Sequence, residues 1–405
     1  MNRVLLSFLS LVFIADGLMV FLIPVLVYTE TQSLTYSGLA YALWWLPRII
    51  LIPTLGSFID RWGVRPISIA TDAIKSLGCL LLCLVLNFAD QPLTIAVTAG
   101  LLGAAISIGN AQTIVSFEKL IAALSHHIER DSNRLTRLDL LGMVVGPLLG
   151  MLLYEYGFMT LLFIAATLYL CNAYYFLTFK MTPASNVSDF IAHPSFISLL
   201  TILKKPFILL MVLLVMGNNM FDGLIESAGS AVIETSMVLP VKYFGLIDMC
   251  AGAIGFLATF FYSTLINRLN KESLLFIGLC TIIVSSLLLS RTLNNLIAFL
   301  IFYSLSTAGK VFTGNIMRVM RIAIIPHEKL ASVSSIMVLL NQSILPFMWL
   351  FLFLSEHYSL PITLFLHIAI TISLLAGLGM LFALRKIDTT APHTFATDKV
   401  KTGDF

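Results

Sequence analysis

Apolar segments long enough to cross a membrane recur along the whole 405-residue chain. A helix needs about 20 mainly apolar residues to span the roughly 30 Å of hydrocarbon in a bilayer. The composition agrees, because 59% of the residues are hydrophobic, only 11% are charged and the mean hydropathy is +0.97. The sequence therefore predicts an all-α membrane protein with about twelve transmembrane helices. The predicted helices lie at about residues 4–28, 36–59, 67–88, 92–118, 138–155, 158–179, 206–233, 240–267, 272–290, 293–320, 329–355 and 359–384.

Lysine and arginine are concentrated in alternate loops between these helices. The loops after the second, fourth, sixth, eighth and tenth helices carry most of them, whereas the opposite loops hold only Lys242 and Arg291. Cytoplasmic loops of membrane proteins carry an excess of these residues, so both termini are predicted to be cytoplasmic. The net charge of +3 reflects this bias and does not indicate a nucleic-acid partner.

The chain reads as a duplication of six helices. A polar interruption separates the two sets, and Asp16-Gly17-Leu18 in the first helix returns as Asp222-Gly223-Leu224 in the seventh. Two such halves typically form a substrate site between them, and access alternates as one half rocks on the other. The predicted divisions are a first half at residues 1–180, a cytoplasmic linker at 181–205, a second half at 206–386 and a cytoplasmic tail at 387–405.

The loop after the second helix contains Gly56, Asp60, Arg61, Gly63 and Arg65 in the order G-x-x-x-D-R-x-G-x-R. This string resembles the signature loop of the major facilitator superfamily, and it lies where that family carries it. The resemblance implies two pseudo-symmetric six-helix halves. It also implies a conformational latch, in which the Asp-Arg pair makes charged contacts to the other half and the second glycine allows a tight turn.

The fifth helix carries small residues and a proline in a repeated pattern, at Gly142, Gly146, Pro147 and Gly150. This segment resembles the motif typical of exporters in the same superfamily, so export is expected rather than import. Small residues four apart also let two helices pack closely. Packing by itself would account for the pattern.

The run from Ser37 to Arg48 is similar to bacterial siderophore exporters of the superfamily. That resemblance implies a proton-coupled exporter in the bacterial inner membrane, working as an antiporter in iron homeostasis and moving a small anionic organic molecule such as a siderophore. The alternatives are multidrug efflux and the export of a divalent metal. The expected partners are a small-molecule substrate, the proton and the lipid bilayer. A monomer is expected, without a cofactor.

The metal alternative rests on a second resemblance. Arg137-Leu138-Asp139-Leu140 followed by Pro147 is similar to the fifth helix of ferroportins, which export iron or manganese. Asp16 stands where ferroportins place a metal ligand. The other positions read Val20, Gly223 and Phe351, and one carboxylate cannot hold a divalent cation. No metal site is therefore predicted, except at Asp16 if this alternative holds.

Ionisable residues inside the predicted helices indicate the mechanism, because each is costly in lipid and normally faces a cavity or a partner. On the seventh helix Asn218, Asp222, Glu226 and Ser230 are spaced by four, which predicts one polar face along the transport path. Glu226, helped by Asp222, is the predicted proton-coupling residue. The predicted substrate-binding residues are Asp16, Arg48, Asn110, Asn218, Asp222 and Lys310.

Each assignment has a structural alternative. Asp72 and Lys75 are three residues apart and are expected to pair with each other. Asp16 could pair with Arg48 or cap a helix instead of binding substrate. Trp44 and Trp45 could stack on the substrate or anchor the helix at the membrane surface.

Helix 4 also carries polar residues on one face. Ser107, Asn110 and Thr113 could bond the substrate or neighbouring helices. An embedded enzyme is not expected, because no nucleophile and base stand at catalytic spacing.

Overall fold

The structure is a computed structural model, which describes residues 3–88, 91–124, 128–178, 202, 205–265, 268–325 and 327–390. The described residues are mostly helical. The first half holds α1 (Arg3–Thr31), α2 (Leu34–Trp62), α3 (Val64–Phe88), α4 (Pro92–Leu124), α5 (Ile128–Leu152) and α6 (Phe158–Thr178). The second half holds α7 (Pro206–Ala231), α8 (Gly245–Leu265), α9 (Lys271–Arg291), α10 (Leu296–Ile324), α11 (His327–Gln342), α12 (Met348–His357) and α13 (Ile362–Thr390).

The predicted all-α membrane fold is confirmed. Ten stretches of the described residues are long and apolar enough to cross a membrane, so the number twelve stays a prediction. The eleventh predicted segment is interrupted, because a 3₁₀ turn at Leu345–Phe347 separates α11 from α12. Pro346 lies inside this turn, where its missing N–H cannot continue an α-helical hydrogen-bond ladder. The predicted linker at 181–205 lies almost wholly outside the described residues.

The buried apolar residues form three clusters, and their distribution shows how the halves meet. One cluster combines both halves and includes Leu26 and Tyr28 of α1 with Met348 and Leu352 of α12. A second cluster belongs wholly to the first half and a third wholly to the second half. The halves therefore share one core toward the α1–α2 turn and have separate cores toward the opposite end.

Polar contacts between the halves occur at the end that carries the α1–α2 and α5–α6 turns, called here the closed end. Glu356 Oε2 accepts from Ser33 Oγ at 2.9 Å and from the Thr35 amide at 2.6 Å. Lys242 Nζ pairs with Glu155 Oε1 at 2.5 Å. Each contact joins a residue of the first half to one of the second half, so both contacts have to break before this end can open.

The small residues of α5 lie against α1. A Cβ added at Gly142 would stand 2.4 Å from the Phe13 carbonyl oxygen, and one added at Gly146 would stand 2.3 Å from the Leu18 nitrogen. Real Cβ atoms do not approach backbone this closely, so both positions need glycine. The packing explanation for this motif is sufficient within the structure, and its link to export stays a prediction.

The signature loop stabilises its own half. Gly63 ends α2 at φ 84°, and its amide donates to the Ile59 carbonyl at 2.9 Å. Arg65 donates from Nε to the Phe176 carbonyl at 2.9 Å and from Nη2 to the Leu177 carbonyl at 2.5 Å. The arginine thereby caps α6 and ties it to the start of α3.

The latch to the other half stays a prediction. The surroundings of Gly56 and the side chain of Asp60 lie outside what the structure describes, and Arg61 is exposed.

Candidate functional site

A cavity of about 250 Å³ lies between the halves and is lined by α1, α2, α4, α5, α7 and α8, with one residue of the turn before α8. Its walls are mainly apolar and aromatic, and they include Tyr41, Trp44 and Trp45 of α2. Both tryptophans thus face the space between the halves. Six charged or amide side chains also line it: Asp16, Arg48, Asn110, Asp139, Glu226 and Asp248. A cavity with few polar groups in apolar walls is the usual form of a small-molecule site.

Arg48 supplies the positive charge of this cavity; its lining contains no other arginine or lysine. The guanidinium donates from Nη1 to Ser107 Oγ at 2.8 Å and lies 4.8 Å from the centre of the Trp45 ring. Its Nε is buried and has no hydrogen-bond partner among the described residues. A buried donor without a partner costs free energy, so Arg48 is positioned to donate a hydrogen bond to an anionic or carbonyl group of a ligand.

Asp16 is held by three donors. Lys75 Nζ and the Tyr169 hydroxyl each lie 2.8 Å from Oδ1, and Asn110 Nδ2 lies 3.2 Å from Oδ2. Asp16 is 4% exposed and Lys75 is completely buried. All three donors belong to the first half, so this network is internal to it. The Asp16 carboxylate lines the cavity, and Lys75 already balances its negative charge.

The pairing predicted between Asp72 and Lys75 is wrong, as is the alternative pairing of Asp16 with Arg48. Lys75 reaches Asp16 on α1 instead, and Asp72 accepts from Asn172 on α6. Side chains three apart on a helix favour pairing, but both here point into the core, where each reaches a partner on a neighbouring helix.

Two carboxylates face the cavity from the second half. Glu226 Oε2 accepts from the Tyr41 hydroxyl at 2.7 Å, which is a hydrogen bond between the halves. Asp248 on α8 also lines the cavity, and its Oδ2 is buried without a hydrogen-bond partner among the described residues. Sequence reasoning selected Glu226 and missed Asp248. A count of every acid inside the predicted helices would have found it.

Three predicted substrate-binding residues lie outside the main cavity. Lys310 pairs with Asp222 within the second half and lies near the Phe221 and Tyr303 rings. Asn218 Oδ1 accepts from Ser373 Oγ at 3.0 Å. Roles in binding for Asn218, Asp222 and Lys310 stay predictions.

The four polar residues of α7 therefore do not all face the same cavity: Glu226 lines the central cavity, and Asn218, Asp222 and Ser230 do not. A spacing of four advances an α-helix by about 400°, or about 40° past a full turn. From Asn218 to Ser230 the direction has turned by about 120°. Glu226 faces the cavity, whereas the Ser230 hydroxyl is buried without a partner among the described residues.

The sequence profile of the Major Facilitator Superfamily matches residues 5–348. The chain belongs to the Major Facilitator Superfamily. It is accordingly a membrane transporter and not an enzyme, with a small-molecule substrate and a lipid environment. A search of curated proteins gave no match.

Several solved transporter structures have the same fold over nearly the whole chain. The nucleoside transporter NupG is 13% identical with a TM-score of 0.72, covering 94% of this chain and 99% of its own. A bacterial homologue of the iron transporter ferroportin, in an inward-facing state, is 17% identical with the same TM-score and the same two coverages. A bacterial metal transporter is 14% identical with a TM-score of 0.68, covering 94% of this chain and 98% of its own. At these identities the likeness establishes the fold alone.

Proposed function

We propose that this transporter is a proton-coupled exporter of a small organic molecule with an anionic group, of which a siderophore is the case expected from the sequence. The proposal rests on the environment of Arg48 in the central cavity. Its guanidinium group lies over the Trp45 ring, and its Nε has no hydrogen-bond partner among the described residues. An anionic group there would gain a charge-assisted hydrogen bond and contact the flat Trp45 surface.

Glu226 and Asp248 supply the proton coupling in this proposal. They lie on the second half and face a cavity whose other wall carries Arg48. Hydroxyl or amino groups of the substrate would donate to the ionised carboxylates, and hydrogen bonding favours the ionised form of a carboxyl group. Substrate binding would then release protons, and proton binding would release substrate, which is the competition that antiport requires.

The closed end supports alternating access. Contacts of Glu356 and Lys242 join the halves there, and the apolar cores are separate toward the other end. With the orientation predicted from lysine and arginine, the cavity would be reached from the cytoplasm in this conformation. An exporter loads its substrate in such a state.

The metal alternative has less support. Among the described residues, no three or more His, Cys, Asp or Glu side chains are grouped to hold a metal ion. Asp16, the ligand that the alternative needs, already accepts from Lys75, Asn110 and Tyr169. A metal would have to displace a buried ammonium group from that carboxylate.

The test uses proteoliposomes that contain the purified transporter and a fluorescent pH indicator inside. An iron-free carboxylate siderophore, ethidium and Mn²⁺ are added separately, and proton movement is recorded for each. The siderophore is expected to move protons in the wild type. Arg48→Gln removes a charge-assisted contact and should raise the half-saturating concentration about tenfold or more, and Glu226→Gln should abolish proton movement.

Two exposed residues provide matched controls. Arg291→Gln and Glu30→Gln make the same chemical changes at exposed positions and should behave as the wild type does. Proton movement driven by Mn²⁺ alone, and lost in Asp16→Asn, would establish the metal alternative. A response to ethidium alone would establish multidrug efflux.

A further inference from the structure

A second cavity, of about 150 Å³, lies within the second half between α7, α10 and α11. It shares no lining residue with the central cavity. Its polar lining consists of Arg318, Arg321 and Asn341, and the apolar lining includes three methionines, Met211, Met317 and Met337. The lining contains no acidic residue, so the cavity has a formal charge of +2 from its two arginines.

An orphaned donor and an orphaned acceptor occur together in this cavity. Arg321 Nε and Asn341 Oδ1 are both buried, and neither has a hydrogen-bond partner in the part of the chain that the structure describes. The Asn341 backbone carbonyl accepts from Asn219 Nδ2 at 2.8 Å, which fixes the position of this turn of α11. Buried polar groups in folded proteins are nearly always paired, so two complementary orphans in one cavity point to a missing ligand.

The two arginines are placed to act together. Arg318 and Arg321 are three residues apart on α10, so they lie on the same face of the helix. Two like charges at this spacing repel each other, and an anion between them would relieve the repulsion. Gly314 lies one turn earlier on α10, and a Cβ added there would meet no atom within 4 Å. Gly314 lines the same cavity as the two arginines, so the wall of the cavity one turn from Arg318 is open.

We propose that this second cavity binds an oxyanion, as a phosphate or carboxylate group. Arg318 and Arg321 hold its charge, and Asn341 Oδ1 accepts a hydrogen bond from a protonated oxygen or a hydroxyl group of the ligand. The methionines contact the apolar part of the molecule that carries the anion, because their flexible side chains adapt to varied shapes.

Two sources supply this chemistry. The site lies toward the end of α10 that is predicted to be cytoplasmic, where anionic lipid headgroups meet basic pockets between helices. A soluble phosphate or carboxylate compound would reach the same arginines from the water. The ligand chemistry is identical, and the experiment below separates the sources.

The first measurement uses the full-length protein in a neutral detergent. Inorganic phosphate is titrated against sodium chloride of equal ionic strength, and thermal unfolding is followed by tryptophan fluorescence. Phosphate is expected to raise the melting temperature of the wild type beyond the chloride control. In Arg321→Gln the phosphate affinity should fall about tenfold or more.

The controls separate this site from the central cavity and from general salt effects. Arg291→Gln removes a charge at an exposed position and should retain the phosphate effect. Arg48→Gln changes the central cavity and should also retain it, so the oxyanion site and the proposed transport function can fail independently. Asn341→Asp places a carboxylate beside Arg321; it should raise the melting temperature without phosphate and suppress the phosphate response.

The second measurement tests the lipid source by native mass spectrometry. The protein is reconstituted with phosphatidylglycerol or with phosphatidylcholine, and retained lipids are counted for the wild type and for Arg321→Gln. A phosphate response, or selective retention of phosphatidylglycerol, that depends on Arg321 supports the proposal and identifies the source. If neither ligand distinguishes the wild type from Arg321→Gln and Asn341→Asp, the proposal is wrong.

Discussion

Among the described residues each half of this transporter contains one lysine–aspartate pair, and the two pairs differ in burial and in the number of further donors to the carboxylate. In the first half Lys75 and Asp16 have side chains that are 0% and 6% exposed, and Tyr169 and Asn110 also donate to the carboxylate. In the second half Lys310 and Asp222 have side chains that are 16% and 26% exposed. Asp222 has no second hydrogen-bond donor among the described residues.

The difference arises from which helix supplies the cation. Lys75 lies on α3, and its side chain packs against Gly109 of α4 on its way to Asp16. A Cβ added at Gly109 would stand 2.1 Å from the Lys75 Cε. At the related contact of the second half, Gly309 of α10 faces Ile282 of α9, and the lysine is the next residue on α10. Asp16 and Asp222 therefore stand at corresponding places in the two halves, whereas their lysine partners come from α3 and α10 respectively. The Lys75–Asp16 pair is therefore buried in the core, whereas the Lys310–Asp222 pair is partly exposed.

The largest expected effect is the loss of Lys75. Lys75→Met leaves the Asp16 charge buried without its counter-ion, and breaking a buried pair in this way costs about 3–5 kcal/mol. Lys310→Met should cost less, because exposed pairs contribute about 0–1 kcal/mol and this pair is intermediate in burial. The free energy of unfolding of both variants and of the wild type is measured by unfolding the protein in increasing concentrations of a denaturing detergent.

A double variant provides the control for this prediction. Asp16→Asn combined with Lys75→Met removes both charges and should recover much of the stability lost in Lys75→Met. Equal losses for Lys75→Met and Lys310→Met would remove the distinction between the halves.

The second prediction concerns the acid beside this pair. Asp72 accepts from Asn172, and both side chains are buried. Asn172→Ala should cost about 1.5–3 kcal/mol, because a hydrogen bond to a buried charged group is lost. The same unfolding series measures this loss, and Asn87→Ala, at an exposed position on α3, should cost much less. If Asn172→Ala leaves the free energy of unfolding unchanged, Asp72 does not depend on this hydrogen bond, as a protonated or hydrated carboxyl group would not.

The third prediction tests the packing of the Lys75 side chain against Gly109 of α4. Gly109→Ala should destabilise by about 1–3 kcal/mol, because the new methyl group overlaps Lys75 and Thr71. Gly314→Ala adds the same group to α10, where no atom lies within 4 Å, and should stabilise by up to about 1 kcal/mol through helix propensity. If both variants respond alike, the tight packing around Lys75 is not what distinguishes the halves.

The smallest expected effect concerns a hydrogen bond between the halves. Asp16 receives its donors from its own half, whereas Glu226 receives one from Tyr41 of the other half. Tyr41→Phe should cost about 0.5–1.5 kcal/mol of stability. It should also increase alkylation of a cysteine placed at Thr35 from the predicted outer side, because the halves separate more easily. Tyr243→Phe, which lies outside this contact, should leave the alkylation unchanged.

Much of the fold could be predicted from the sequence, since apolar length and the signature loop report local requirements. Every predicted helix has a helical counterpart, although the eleventh is broken at Pro346. In the site, Arg48 and Glu226 were found because a charge inside an apolar helix needs a cavity or a partner. Asp248 was overlooked although the same rule applies to it.

The membrane fold, the superfamily and the helices that carry buried charge could all be predicted from the sequence, because bilayer thickness and the cost of charge in lipid act on each segment separately. The partners of the buried charges depend on how the helices pack against one another. Lys75 pairs with Asp16 and not with Asp72, and Lys310 lies outside the central cavity with Asp222. A long side chain can reach several neighbouring helices, and the pairing that forms depends on helix rotation and on gaps such as the one at Gly109, which spacing along the chain does not specify.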